Sequence, residues 1–110
     1  LKKLYDYGYV DEENGILTLD EIKKICVNVL SKYPVEYCYL FGSYAKGKAT
    51  PISDVDLMIS TSLSGLKFYG LVEELRDKLK KKVDVLDQKQ IKDNFELTNE
   101  ILKDGIKIYG

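Results

Sequence analysis

The sequence predicts a small α/β or α+β domain in which a mixed sheet is packed by helices. Segments with helical spacing alternate with short β-branched and aromatic segments, in the order helix, strand, strand, helix, strand, helix. The chain has 110 residues, of which 45% are hydrophobic, and this is enough for one domain. Because no repeat or low-complexity linker interrupts it, we expect residues 1–110 to form a single domain.

The N-terminal part of the chain predicts an irregular extension followed by a capped helix. Residues 1–17 are rich in Tyr, acidic residues and Gly, which is typical of an irregular segment. Thr18 and Glu21 have the spacing of a capping box. Apolar residues then recur at helical spacing, so we expect a helix over about 19–33 that ends before Pro34.

Two strands with a turn between them follow this helix. Val35–Phe41 is β-branched and aromatic, which predicts the first strand. Tyr44–Lys48 predicts a turn or a single helical turn, and Pro51 is unfavourable for a regular strand. Val55–Ile59 is apolar enough to predict a second, buried strand, and the polar residues after it predict a loop over 60–65.

The C-terminal half predicts a second long helix, a short strand and a further helical segment. The helix is expected over about 66–81. Its inward face is expected to carry Leu66, Tyr69, Val72, Leu75 and Leu79. Val83–Leu86 predicts a third strand, and apolar residues between 91 and 102 predict a helix or a pair of helical turns. Gly105 is expected to end this helix as its C′ residue, and Ile106–Tyr109 predicts a last short strand.

Composition excludes several classes of function. The chain has no His, which excludes Ser-His-Asp and Cys-His nucleophilic sites and His-based zinc or ribonuclease chemistry. A net charge of −1 argues against a general nucleic-acid-binding surface, and no apolar run approaches the roughly 18 residues of a membrane span. Cys26 and Cys38 are too few for a disulfide framework, so we expect buried free thiols in a reducing cytoplasm. The basic residues Lys78, Lys80, Lys81 and Lys82 predict a solvated helix end.

The residues that indicate chemistry are a Gly-Ser pair and three acids. Asp54 and Asp56 are two positions apart, so in a strand they would lie on one face about 7 Å apart and favour a cation such as Mg²⁺ between them. Asp84 lies between two apolar residues, and it joins the pair on one face if the third strand lies beside the second. Gly42 and Ser43, at a strand-to-helix turn, offer free amides and a hydroxyl to a phosphate. Phosphate on amides and metal on acids is the arrangement for phosphoryl or nucleotidyl transfer.

These residues resemble a known family. The segments Phe41-Gly42-Ser43-Tyr44-Ala45-Lys46-Gly47 and Ser53-Asp54-Val55-Asp56-Leu57 resemble the nucleotidyltransferase superfamily of DNA polymerase beta, which is marked by G-S-x(7–13)-D-x-D. The small size and the ending Ile101–Tyr109 are similar to its minimal nucleotidyltransferase (MNT) branch. The resemblance covers residues 19–109 and implies the polymerase beta-like nucleotidyltransferase fold.

The resemblance also implies roles for the acids. Asp54 and Asp56 would bind the catalytic Mg²⁺ ions of a two-metal site, and Asp84 would be the third acid, which activates the attacking hydroxyl. Gly42 and Ser43 would hold the nucleoside triphosphate, with ATP as the substrate.

Three more residues are expected to contact the nucleotide. Family members often carry Arg after the Gly-Ser pair and again two positions later, where this chain has Tyr44 and Lys46. Lys46 can still meet a phosphate as a point charge. Ser53, directly before the acidic pair, completes the expected set.

The MNT branch is commonly paired with a helical HEPN protein in a toxin–antitoxin system. There the MNT protein transfers AMP from ATP to a Tyr hydroxyl of the HEPN ribonuclease and silences it, so the resemblance implies a cytoplasmic antitoxin that AMPylates a HEPN-type toxin. The chain lacks domains that would grip a primer strand, and we expect no template-directed synthesis. The acceptor is a partner protein, a small molecule or the chain itself, which has 9 Tyr. Two alternatives stay open: a catalytically weak antitoxin that neutralises its partner by binding, and a nucleotidyltransferase for a small molecule such as an aminoglycoside.

Overall fold

A four-stranded mixed sheet organises the computed structural model, which describes residues 15–110. Its strands are β1 (Val35–Phe41), β2 (Val55–Thr61), β3 (Val83–Asp87) and β4 (Ile106–Tyr109). Their order across the sheet is β3-β2-β1-β4. Strand β1 pairs antiparallel with β2 and with β4, whereas β2 and β3 are parallel. The mixed sheet packed by helices is therefore confirmed, and most of the extension expected at residues 1–17 lies outside the described residues.

Five helices connect and cover the strands in this part of the chain. They are α1 (Leu19–Leu30), α2 (Gly42–Ala45), α3 (Gly65–Leu79), α4 (Gln88–Ile91) and α5 (Phe95–Asp104). The predicted helical turn after β1 is α2, and the predicted pair of helical turns in the C-terminal part is α4 and α5. Helix α3 is the crossover that a parallel β2–β3 pair requires. No helix among residues 15–110 is both long and apolar enough to span a bilayer.

Helix α1 begins as the sequence predicts and ends earlier. The Glu21 amide donates to Thr18 Oγ1 at 3.0 Å, and the Thr18 amide donates to Glu21 Oε1 at 2.8 Å, so the capping box is confirmed. The helix ends at Leu30 and not near residue 33. Pro34 disfavours helical backbone at the residue before it, and the chain leaves the helix through a turn.

Strand β2 is longer than predicted because two polar residues at its end are satisfied inside the fold. Ser60 and Thr61, expected in a loop, are buried at the end of the strand. The Ser60 hydroxyl donates to Glu36 Oε1 at 2.6 Å, and the Thr61 hydroxyl donates to the Pro34 carbonyl at 2.6 Å. Hydroxyls with such partners can be buried without a large desolvation penalty, so their polarity did not mark a loop.

The two faces of the sheet carry two hydrophobic clusters. Helices α1 and α3 and the facing strand residues form the larger cluster, with Ile22, Cys26, Leu30, Leu40, Leu57, Leu71 and Leu75 among its buried members. Met58, Ile91 and Ile101 form the smaller cluster on the opposite face, where Tyr37, Tyr39 and Phe41 pack at its margin. Cys26 and Cys38 are buried free thiols, as predicted. Burial raises the pKa of the Cys26 thiol to about 12.

The inward face of α3 differs from the prediction. Leu66 and Tyr69 were expected to point inward, but they are 87% and 63% exposed. A residue advances about 100° around an α-helix, so a strict three-residue spacing drifts by about 60° per step, and Leu66 ends on the side opposite Leu75. The buried residues of this helix are Leu71, Val72, Leu75 and Leu79.

Lys81 departs from the solvated helix end expected for the basic cluster. It is only 7% exposed, and its Nζ donates to the Pro51 carbonyl at 2.8 Å. A lysine can bury its aliphatic chain when its ammonium group donates a hydrogen bond to a carbonyl oxygen. Lys81 thus ties the start of β3 to the loop before β2.

Gly105 ends α5, but not in the left-handed conformation that is common at a C′ position. Its φ is −78°, and its amide donates to the Ile101 carbonyl at 2.7 Å. A Cβ built at this position would collide with that carbonyl and lie 3.2 Å from the Leu40 carbonyl oxygen. Glycine is therefore required here for space, since β4 turns back closely against β1.

Candidate active site

The parallel pairing of β2 with β3 brings two acids together. Asp56 is the register partner of Asp84, so both side chains leave the same face of the sheet. Asp56 is half-buried and Asp84 is exposed. The sequence predicts that Asp84 joins Asp54 and Asp56 if the third strand lies beside the second, and the structure shows that the two strands are adjacent. Asp87 lies elsewhere, buried, where it accepts from the Lys89 amide at 3.0 Å and caps α4.

Asp54 reaches the site from a turn rather than from a strand. Strand β2 begins at Val55, so Asp54 stands directly before it. The preceding turn is closed by the Thr50 amide, which donates to Ser53 Oγ at 2.8 Å, and by the Ser53 amide, which donates to the Thr50 carbonyl at 3.0 Å. Ser53 therefore shapes the loop that presents Asp54. Lys81 holds the same loop through Pro51.

The charges of Asp54 and Asp84 act on the Asp56 carboxylate. Burial raises the pKa of Asp56, and the nearby charges of Asp84 and Asp54 raise it further. Like charges gathered in this way favour a bound cation, and oxygen donors suit Mg²⁺. Within residues 15–110, however, no three or more His, Cys, Asp or Glu side chains already converge as a metal-binding group. The donor chemistry fits a hard cation, and the carboxylates would have to turn towards it.

Gly42 packs directly against the Asp56 carboxylate. Its φ is +75°, in the region that favours glycine. A Cβ built on it would overlap Asp56 Oδ2 and lie 3.1 Å from Asp56 Cγ. The first residue of α2 is thus a glycine for two reasons, backbone conformation and the proximity of the carboxylate. This proximity joins the Gly-Ser element to the acids.

The residues after Gly42 divide between the site and the core. Ser43 is half-buried, and its side chain makes no hydrogen bond with the residues that the structure describes. Tyr44, expected to contact the nucleotide, is 9% exposed and belongs to the larger core cluster, where its hydroxyl accepts from the Leu17 amide at 3.3 Å. Lys46 is exposed, with Nζ 3.8 Å from Glu100 Oε2. The structure therefore leaves the Ser43 side chain without a hydrogen-bond partner among the described residues and places the Tyr44 ring in the core.

A cleft of about 520 Å³ borders the acids. Its lining includes Phe41 and Asp56, Asp84 and Leu86 of β3, and Tyr69 and Arg76 of α3. Arg76 is held by two contacts, from Nε to the Val83 carbonyl at 3.2 Å and from a terminal nitrogen to Glu73 Oε2 at 2.9 Å. The cleft thus lies along the sheet edge formed by β3, with Asp56 and Asp84 on one face of the sheet and the residues of α3 on the other.

The sequence predictions missed the contribution of α3 to this cleft. Phe68, Tyr69, Val72 and Arg76 line it. Positions 68, 72 and 76 are four residues apart and lie on one side of a helix, so the spacing itself was visible in the sequence. Tyr69 and Val72 belong to the predicted inward face of the helix, and a sequence alone does not separate a core position from one that borders a cleft. The burial of Lys81 was not predicted, because lysine is rarely buried and its charge indicates a surface position.

Comparisons with known proteins agree with this geometry. The family model described as "Polymerase beta, Nucleotidyltransferase" matches residues 21–110. Two proteins of Methanocaldococcus jannaschii, provisionally named protein adenylyltransferases, are similar in sequence. One is 37% identical over 82 residues, which cover 67% of this chain and 82% of the relative. The other is 33% identical over 92 residues, which cover 82% of this chain and 91% of the relative.

Solved structures share the fold. A toxin–antitoxin crystal structure with AMP-PNP has a TM-score of 0.68 and 26% identity, over 84% of this chain and 74% of that chain. A tri-AMPylated Shewanella oneidensis HEPN toxin in complex with its MNT antitoxin has a TM-score of 0.64 and 20% identity, over 83% and 71% of the two chains. With a matching family model over most of its length and relatives above 30% identity, this chain belongs to the polymerase beta nucleotidyltransferase family.

Proposed function

We propose that this protein is a Mg²⁺-dependent protein adenylyltransferase that transfers AMP from ATP to a tyrosine of a HEPN-type toxin and acts as its antitoxin. The observation that carries the proposal is the register of Asp56 with Asp84 beside Gly42. This arrangement has acids for a cation and a hydroxyl acceptor on one side, and a glycine turn for a nucleotide on the other. The names of the relatives support protein as the acceptor.

The glycine turn would hold the triphosphate. The residue before α2, Phe41, gives no side-chain cap to the first amides of the helix. Free amides at such a turn are suited to phosphate oxygens, and Ser43 Oγ can donate a further hydrogen bond. Gly42 lets the Asp56 carboxylate lie directly against the backbone of this turn, because a Cβ there would overlap Asp56 Oδ2, and a phosphate on the turn would therefore lie close to the acids.

The acids would hold the cation and accept the proton of the acceptor. Asp54 and Asp56, with Asp84 beside them, are the residues that would bind Mg²⁺. When bound, Mg²⁺ would neutralise charge on the phosphates and on the leaving pyrophosphate. The carboxylate of Asp84, exposed on the edge strand, would take the proton of the attacking hydroxyl. The acceptor oxygen then bonds to the α-phosphorus, and the bond from that phosphorus to the bridging oxygen breaks.

The experiment incubates the protein and a co-expressed HEPN-type partner with ATP and Mg²⁺, and measures the intact mass of both chains. We expect the partner to gain the mass of one or more AMP groups. Asp56→Asn should abolish the gain, while Asp77→Asn, which removes an exposed acid of α3 away from the cleft, should keep it. A tight complex without any mass gain would contradict the proposal and favour neutralisation by binding alone.

A further inference from the structure

The short loop that carries Asp54 is fastened at both ends to two consecutive residues before β3. At one end, Lys81 Nζ donates to the Pro51 carbonyl at 2.8 Å. At the other end, the Val55 amide donates to the Lys82 carbonyl at 3.0 Å. Asp54 lies between these two contacts, so the chain segment that leads into β3 determines where its backbone lies.

The two contacts depend on the sequence in different ways. The contact of Val55 with Lys82 joins backbone to backbone and belongs to the parallel ladder of β2 and β3, which does not depend on the side chains. The contact with Pro51 needs a long side chain with a hydrogen-bond donor at its end. Lys81 provides it although the residue is only 7% exposed, and the burial of a charged group is unfavourable. An apolar side chain of similar length could fill this space, but it would not hold the loop.

The segment that holds this loop also carries the third acid. Asp84 follows Lys82 by two residues and is the register partner of Asp56. Asp54 is close enough to this pair for its charge to raise the pKa of Asp56. Lys81 therefore links the loop of Asp54 to the strand of Asp84, and it determines how the first acid lies relative to the other two.

We propose that Lys81 is a positioning residue for the cation site, which keeps Asp54 in place by holding the Pro51 carbonyl. The inference rests on the proposed function, in which the acids bind Mg²⁺, and it names a residue that determines how tightly they do so. Mg²⁺ requires nearly ideal octahedral geometry, so a ligand on a loose loop binds it less well. Groups that hold a metal ligand in place typically change metal affinity by about 10- to 100-fold.

The experiment titrates the purified protein with Mn²⁺ and measures free Mn²⁺ by its electron paramagnetic resonance signal. Lys81→Met keeps an apolar side chain of similar length and removes the donor. We expect it to weaken Mn²⁺ binding by roughly 10-fold. Asp54→Asn should also weaken binding. In the double variant, the loss of Lys81 should have no further effect, because Lys81 acts through Asp54.

Two control variants separate positioning from charge and from stability. Lys78→Met removes the same charge from an exposed position of α3 and should not weaken Mn²⁺ binding. The loss of a positive charge by itself favours a cation at the acids, so weaker binding in Lys81→Met has the opposite sign to a charge effect. Val29→Ala creates a cavity in the larger core cluster, on the other face of the sheet, and should lower Tm without changing Mn²⁺ affinity. All titrations are made well below the Tm of each variant.

The result that overturns this inference differs from the one that overturns the proposed function. If Lys81→Met lost stability but bound Mn²⁺ as tightly as the wild type, its role would be structural alone. An equal loss of affinity with Asp54 and with Asn at position 54 would also refute the inference, because Lys81 would then act elsewhere. In either case, AMP transfer by the wild type to a HEPN-type partner would leave the adenylyltransferase proposal standing. A wild type that bound no Mn²⁺ and transferred no AMP would contradict both proposals.

Discussion

Replacing Gly42 by Ala tests the contact between the glycine turn and the acidic face. The new Cβ would overlap Asp56 Oδ2 and lie 3.1 Å from Asp56 Cγ and 3.3 Å from Asp56 Cβ. The clash involves the end of a side chain, which can rotate. The fold can therefore accommodate the methyl group, but only if the Asp56 carboxylate moves away from its position beside the glycine turn.

The chain offers a matched control in Gly47. Its φ is +70°, close to the +75° of Gly42, and a Cβ there would meet nothing within 4 Å. Both substitutions place Ala in left-handed backbone, which costs about 1–2 kcal/mol. For a domain of this size, about 1 kcal/mol lowers Tm by roughly 4–8 °C. Only Gly42→Ala also displaces Asp56, and a misplacement of about 1 Å in a catalytic group can reduce the rate by about 100-fold.

Thermal melts and the rate of AMP transfer separate the two effects. We expect the two variants to lose similar stability, while Gly42→Ala alone loses most of its transfer rate. Equal transfer rates in the two variants would refute the reasoning, because the contact with Asp56 would then have no role in catalysis. A much lower Tm for Gly42→Ala than for Gly47→Ala would show that Asp56 cannot rotate and that the clash falls on the fold.

Three further predictions address the charges and the buried groups. Folding raises the pKa of Asp56, so the ionised carboxylate destabilises the metal-free fold at neutral pH. We therefore expect Asp56→Asn to have a higher Tm than the wild type at pH 7. Thermal melts from pH 7 to pH 4 should show this difference in Tm shrinking as the pH falls, because the wild-type carboxylate becomes protonated. Lys81→Met removes the donor to Pro51, so the amides of the loop before β2 should exchange hydrogen faster, while Lys78→Met, at an exposed position, should leave their exchange unchanged. Cys26, with a pKa of about 12, should react with iodoacetamide only as fast as the protein unfolds, and reaction at the rate of a free thiol would contradict its burial.

The order of helices and strands could be predicted from local signals, while the ends of the elements could not. Thr18 and Glu21 are only three residues apart, so the signal for the start of α1 is local, and the structure confirms this start. The polarity of Ser60 and Thr61 predicts a loop, because a sequence does not show that Glu36 and the Pro34 carbonyl accept hydrogen bonds from their hydroxyls. The helical spacing predicts Leu66 in the core, and it is exposed, because the spacing does not reveal which side of the helix the sheet occupies.

The candidate site was predictable where it depends on spacing and was missed where it depends on packing. The Gly42 turn and the three acids follow from short sequence patterns and from the adjacency of β2 and β3, and the structure brings them together. Tyr44 follows the Gly-Ser pair directly, yet the helical turn of α2 rotates it into the core. Its orientation depends on contacts with residues far away in sequence, and no local pattern encodes these.

The parallel pairing of β2 with β3 also determines when the site can exist. Asp54 and Asp56 are translated well before Asp84, which is separated from them by the whole of α3. Parallel pairing requires the crossover to close first, and such non-local contacts form late in folding. A nascent chain that ends before Val83 has the glycine turn and two acids, but no carboxylate opposite Asp56. Under the proposed mechanism, synthesis must therefore pass β3 before the site is complete, and a product truncated before Val83 would lack the carboxylate proposed to take the acceptor's proton.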